Sequence, residues 1–234
     1  MARSHPWDVS PAEARAIQSD LAGRVDLRDA ISLDAIEVVA GIDNAYVKTD
    51  RQTIACAAVV AMTLPALEVI ETAVAWEPVV FPYVPGLLSS REGPAVLAAW
   101  AKLRAAPDVV LLDGQGYAHP RRFGLASHIG VLIDRPTIGC AKSRLIGEFA
   151  EPERVFGANT PLIDRGEVVG AAVRTRPRHK PLFVSPGHKV SVETAVAIAL
   201  ACCRGGAFMP EPTRLAHETV TGERRKAVAV MTPE

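Results

Sequence analysis

Between residues 36 and 76 lie three apolar, β-rich runs separated by polar or proline-bearing connections. The runs are Ile36 to Val47, Thr53 to Met62 and Leu67 to Trp76. The polar segment Lys48-Thr49-Asp50-Arg51-Gln52 joins the first two, and a segment containing Pro65 joins the second pair. Connections this short link antiparallel neighbours, because a parallel return needs a longer crossover, so the runs predict a meander. The periodicity then changes. From Glu92 to Ala106 the apolar residues Val96, Leu97, Ala99, Trp100 and Leu103 recur at helical spacing, with Pro94 in the first turn. A strand from Asp108 to Leu112, a helical run from about Phe123 to Ile133 and a strand from Pro136 to Ala141 follow in alternation. That order implies crossover connections and parallel neighbours. Glu167 to Val173 and Pro181 to Val184 read as further strands. Val192 to Arg204 reads as a helix with Ser191 as N-cap, and a last helix starts near Pro212. Ahead of the meander, Pro11 to Val25 carries helix formers after the N-cap candidate Ser10. With no internal repeat and no long linker, the expectation is a single domain over residues 1–234. Its fold class is α/β: an antiparallel three-strand meander extended by parallel strands and flanked by helices.

Composition narrows the function classes. Of 234 residues, 49% are apolar, enough for a sizeable core. Charge, Pro or Gly interrupts most apolar runs well before the roughly 20 residues a bilayer span requires. The N-terminus MARSHPWDVS lacks the apolar centre of a signal peptide, so the expectation is a cytoplasmic protein without a membrane partner. Cys56, Cys140, Cys202 and Cys203 sit in apolar segments without metal-ligand spacing and read as small fillers of a reduced core. Lys and Arg number 26 and Asp and Glu 26, a balance that argues against nucleic-acid binding by bulk charge alone. Local basic clusters remain at Arg121-Arg122, at Arg174 to Lys180 and at Arg224-Arg225-Lys226.

Candidate chemistry concentrates after the strand that ends at Leu112, in Asp113 to Arg122, DGQGYAHPRR. A carboxylate at a strand end, beside a histidine and two arginines, suits cation-assisted chemistry on a phosphate. A lone Asp there ordinarily marks only a turn, but two other acids stand in unusual settings. Asp43 interrupts the first strand in VVAGIDNAYV, where a buried charge needs a partner, and Gly41 before it leaves room for a ligand or a backbone. Glu92 ends FPYVPGLLSSRE, whose two prolines hold Tyr83 on a stiff loop suited to stacking on a base. The three acids would repel one another unless cations offset them, and the order of elements is that of a ribonuclease H-like sheet.

Six segments, AGIDNAY, FPYVPGLLSSREGP, LLDGQGYAHPRRFGLASHIG, PTIGCAKSRLIG, SPGH and PEPTRLAH, resemble in order the motifs of endonuclease V, the deoxyinosine-specific repair nuclease. The resemblance implies that Asp43, Glu92 and Asp113 bind the metal and that His217 completes the catalytic site with Lys142, which lies against the scissile phosphate. It implies Mg²⁺, with Mn²⁺ able to substitute. It makes Tyr83 the wedge that fills the gap left by a flipped nucleotide, and puts His119 and Arg121 near the same phosphates. Main-chain groups near Gly86, Leu88, Gly114 and Gly124 would read the base. The implied partner is DNA containing deoxyinosine, cut on the 3′ side of the lesion to leave a 5′-phosphate. No obligate protein partner is implied. Inosine-containing RNA is the alternative substrate, and a catalytically silent nucleic-acid binder a more distant one. Asn44, Ser90 and Tyr117 depart from the motif pattern without removing a proposed ligand. Tyr117 lies beside the proposed base pocket, where a bulkier ring bears on substrate range.

Overall fold

A computed structural model of the chain describes residues 5–204 and 206–231. Its centre is an eight-stranded sheet in the order β3-β2-β1-β4-β5-β8-β7-β6. Strand β1 (Val38–Lys48) pairs antiparallel with β2 (Thr53–Thr63), which pairs antiparallel with β3 (Val69–Pro78). This is the expected meander. On its other side β1 runs parallel to β4 (Val109–Leu112), and β4 parallel to β5 (Thr137–Ala141), with helix α3 (Leu125–Ile133) as the crossover between them. Strands β6 (Asn159–Asp164), β7 (Glu167–Val173) and β8 (Leu182–His188) complete the far half antiparallel. The expected α/β class, an antiparallel meander extended by parallel strands, is borne out.

Helix α1 (Pro11–Ala22) opens with a reciprocal capping box between Ser10 and Glu13. Helix α2 (Leu88–Trp100) lies before β4, and α4 (Val192–Ala201) and α5 (Glu211–Met231) close the chain. No helix among the described residues is long and apolar enough to cross a membrane.

Side chains alternate across a strand, and the alternation sorts the core into two layers. Val39, Val109 and Leu111 pack with residues of α4 and α5, including Ile198 and Ala216. Ala40, Ile42, Val110 and Leu112 pack against α2 and α3 through Val96 and Ile129. Strand β4 is therefore buried on both faces, which is why it reads as VVLL rather than as an alternating strand.

Several boundaries differ from the sequence expectation for identifiable reasons. Helix α2 starts at Leu88, not at Glu92, because the chain reverses at Gly86 (φ +76°) and enters the helix at once. Glu92 therefore sits a full turn inside, and Pro94 lies within the helix rather than in its first turn. Strand β6 was not expected: Pro161 interrupts its pattern, and proline is tolerated there because β6 is an edge strand. Strand β8 continues past Val184 through Ser185-Pro186-Gly187 to His188, pairing β5 across a register shift. Helix α4 ends at Ala201 rather than Arg204, and the tail after Thr221 is the second half of α5, where Lys226 pairs with Glu223 at 2.7 Å.

Candidate active site

The two aspartates meet because of register. Ile42 pairs with Leu112 across the parallel β1–β4 contact, so Asp43 and Asp113 are the next residues on neighbouring strands. The Asp113 N–H donates to the Ile42 carbonyl at 3.2 Å and holds that level. Both residues share the parity of Leu111 and Gly41, which directs them to the α5 face. Gly41 is what lets α5 come close. A Cβ there would stand 2.0 Å from the carbonyl carbon of Pro212, so only glycine admits the start of the helix against β1. The approach brings His217, on the next turns of α5, to Asp43, with Nδ1 and Oδ2 2.7 Å apart. One ligand atom from each of Asp43, Asp113 and His217 lies within 4.8 Å of the others.

The electrostatics of this trio fit a divalent cation. Burial raises the Asp43 carboxyl above its usual range and the neighbouring Asp113 raises it further, against a lowering contribution from His217. Two acids and one imidazole form an oxygen-rich donor set of the kind that holds Mg²⁺ or Mn²⁺, and a bound cation would offset their repulsion. Lys142, which follows the end of β5, makes an ion pair with Asp113 Oδ2.

Glu92 approaches from the other side of the sheet. Asn44 and Tyr46 have the opposite parity to Asp43 and face α2. The Tyr46 hydroxyl donates to Glu92 Oε1 at 2.8 Å, and Asn44 Nδ2 to Oε2 at 3.3 Å. Burial pushes the Glu92 carboxyl up to about 8; Asp43 and Asp113 add to the rise and the Tyr46 hydrogen bond opposes it. Glu92 is thus close enough to feel both aspartates but is not part of the three-residue group. Arg91 lies over the Tyr46 ring, 4.8 Å from its centroid, and donates to the Phe81 carbonyl at 2.7 Å.

Beside the trio opens a cavity of about 400 Å³, whose walls include Tyr83, Gly86, Leu88, Asp113, Gly114, Gly124 and Lys142. Phe81 and Leu87 are buried with Ala14 and anchor both ends of the proline-bearing loop, while Tyr83 between them is 71% exposed. An aromatic ring is thereby held out in solvent on a stiff support.

Comparison with known proteins establishes the family. The sequence model of the family described as Endonuclease V matches residues 19–218. The chain belongs to the endonuclease V family. Endonuclease V of Roseiflexus sp. (strain RS-1) is 53% identical over 211 residues, 90% of this chain and 92% of that protein. The crystal structure of Bacillus subtilis endonuclease V superposes with a TM-score of 0.91 at 33% identity, covering 95% of this chain and 96% of that one. Endonuclease V of Ciona intestinalis, in complex with a 24mer DNA containing an inosine followed by a ribo-adenosine, matches with a TM-score of 0.80. It is 29% identical and covers 92% of this chain and 98% of that one.

Within this endonuclease V fold, Asp43, Asp113 and His217 come together, with Lys142 paired to one of them and Glu92 held by Asn44 and Tyr46. The expected pocket glycines and Leu88 line one cavity together with Tyr83. His119 and Arg121, expected near phosphates, direct hydrogen bonds to the Gly86 carbonyl at 3.0 and 2.7 Å. Tyr117 donates to Glu167 at 2.7 Å, and Ser90 is buried in α2. Sequence reasoning passed over Gln18, which reaches the cavity from α1, and the Asn44–Tyr46 pair. Strand parity could have revealed the pair, since residues 44 and 46 share a face; a single glutamine on an amphipathic helix gives no such signal.

Proposed function

We propose that this endonuclease V family member is a cytoplasmic, metal-dependent repair nuclease that recognises deoxyinosine in DNA. It hydrolyses a phosphodiester on the 3′ side of the lesion and leaves a 5′-phosphate. The observation that carries the reading is that one cavity is lined both by the exposed wedge Tyr83 and by Asp113 of the candidate metal trio. Recognition and cutting then share a wall, as a nuclease acting near a flipped base requires.

In this reading Asp43, Asp113 and His217 hold Mg²⁺, with Mn²⁺ able to substitute, and Glu92 supports the site from the α2 side. A divalent cation supplies Lewis acidity and a hydroxide-like nucleophile at neutral pH. Lys142 balances phosphate charge that builds up beside Asp113. Tyr83 stacks in the gap left by the extruded nucleotide, and the hypoxanthine enters the cavity between Gly86 and Gly124. Opening a mispaired inosine costs less than opening a Watson–Crick pair, which favours the lesion before any contact is made.

A second reading, cleavage of inosine-containing RNA, draws support from the Ciona relative, whose bound DNA carries a ribo-adenosine directly after the inosine. Nicking assays with Mg²⁺ on duplex DNA and single-stranded RNA, each carrying one inosine, decide between them. Cutting of the DNA that is lost in Asp43→Ala supports repair; preferential cutting of the RNA moves the substrate to RNA. Absence of cutting in both would overturn the nuclease reading.

A further inference from the structure

A cross-link in the cavity wall is not explained by any of the family-like motifs. Gln18 of α1 is 1% exposed, and a buried carboxamide is costly unless its donors and acceptor are all used. They are used on three separate segments. Nε2 donates to the Gly86 carbonyl at 3.2 Å and to the Phe123 carbonyl at 3.1 Å, while Oε1 accepts from Arg121 Nε at 2.6 Å. One side chain therefore ties the wedge loop to the entry of α3 and to the guanidinium that follows the DGQG turn.

The same bonds decide what Gly86 can offer a ligand. Arg121 Nη2 also donates to the Gly86 carbonyl, at 2.7 Å. His119 accepts from the Arg121 N–H at Nδ1, 3.2 Å away, which puts its own hydrogen on Nε2, 3.0 Å from the same carbonyl. Three N–H groups thus converge on an oxygen with two lone pairs. The carbonyl is saturated, and the N–H is the only hydrogen-bonding group Gly86 has left for a base. Hypoxanthine presents a carbonyl acceptor, O6, where adenine presents an amino group.

We propose that Gln18 is a positioning residue for lesion recognition. By tying Gly86 to Phe123 and Arg121 it sets the width of the base pocket and fixes where the Gly86 N–H, the donor left to that residue, meets an acceptor edge. This rests on the inosine reading above.

The test is equilibrium binding by fluorescence anisotropy in EDTA, so that no strand is cut. The probes are two labelled duplexes that differ only by inosine or adenosine at one position. Wild-type protein is expected to prefer inosine. Gln18→Leu, which keeps the volume and removes every hydrogen bond, should lose roughly tenfold affinity for the inosine duplex and keep its affinity for the other. Gln18→Glu retains the acceptor for Arg121 but sets an oxygen against two carbonyls, and should show the same selective loss. It also answers the question if the leucine variant does not fold. Unchanged selectivity in both variants, or an equal loss on both duplexes, overturns the assignment while leaving the inosine reading intact. A wild-type protein indifferent to inosine would overturn that reading and this one with it.

Discussion

The imidazoles of His5 and His128 meet with Nε2 of one 2.6 Å from Nε2 of the other, joining the start of the described chain to the middle of α3. His128 Nδ1 is 2.9 Å from the Ser89 hydroxyl, and Trp7 stacks beside the pair with its centroid 5.2 Å from that of His128. Burial, with the His5 charge adding to it, holds the His128 imidazole down to about 3, against an ordinary 6.5. Because the folded value is the lower one, the unfolded chain takes up the proton first as pH falls. The contribution of this group is complete above about pH 6.5 and declines towards pH 3, by about 2 kcal/mol at pH 5. His119, lowered to about 4 mainly by burial, acts in the same direction. Glu92, raised to about 8, acts the other way, so His128 is isolated by difference: in urea unfolding the stability of wild type relative to His128→Gln should fall by about 2 kcal/mol from pH 7.5 to pH 5. A difference that does not change with pH would remove the histidine from the explanation.

Replacing Asp43 with Asn keeps the shape of the trio and removes one of its charges. Nicking should fall by roughly a hundredfold or more, since removing even a residue that orients a metal ligand costs 10–100-fold. Affinity for inosine DNA in EDTA should hold or improve, because one negative charge near the phosphate is gone. Calorimetric titration with Mn²⁺ provides a readout independent of turnover, and unchanged metal affinity would count against the trio.

Tyr83 is mostly solvent-exposed, so Tyr83→Ala should leave the thermal midpoint where it is. Its effect belongs to binding: stacking on a base contributes roughly 1–3 kcal/mol, and the affinity for inosine DNA should fall accordingly. Tyr83→Phe should retain most of it. A loss of stability in the alanine variant would mean that the ring packs rather than stacks.

Gly41→Ala places a methyl group 2.0 Å from the Pro212 carbonyl carbon. Helix α5 must retreat, at a cost of roughly 1–3 kcal/mol for overpacking, and His217 retreats with it. Nicking should therefore drop further than the fraction of folded protein accounts for. Comparison of the unfolding midpoint with kcat at saturating metal separates the two effects.

Legibility in the sequence followed the strength of the local signal. The meander and the β4–α3–β5 crossover were readable because apolar runs and punctuation agree along them. Asp43 and Asp113 stood out as charges at or within strands, yet their neighbourhood depends on the Ile42–Leu112 register, which no local pattern states. Glu92 was recognisable as an acid but not as one approaching from the opposite face, since that follows from where α2 begins. Strand β6 was hidden by Pro161. Gln18 was invisible because a buried glutamine and an exposed one read alike on an amphipathic helix, and only the carbonyls that reach it from Gly86 and Phe123 distinguish them.

The contact between Gly41 and Pro212 also orders events during synthesis. A growing chain carries Asp43 and Asp113 long before it carries His217, and β1 stays uncovered at Gly41 until α5 has emerged. The two aspartates can be adjacent in a half-made sheet, but His217 and the helix that covers the strand arrive together and last. A truncated or stalled chain therefore lacks the third member of the trio, and the helix that supplies it is the one whose docking requires the meander beneath it to be formed.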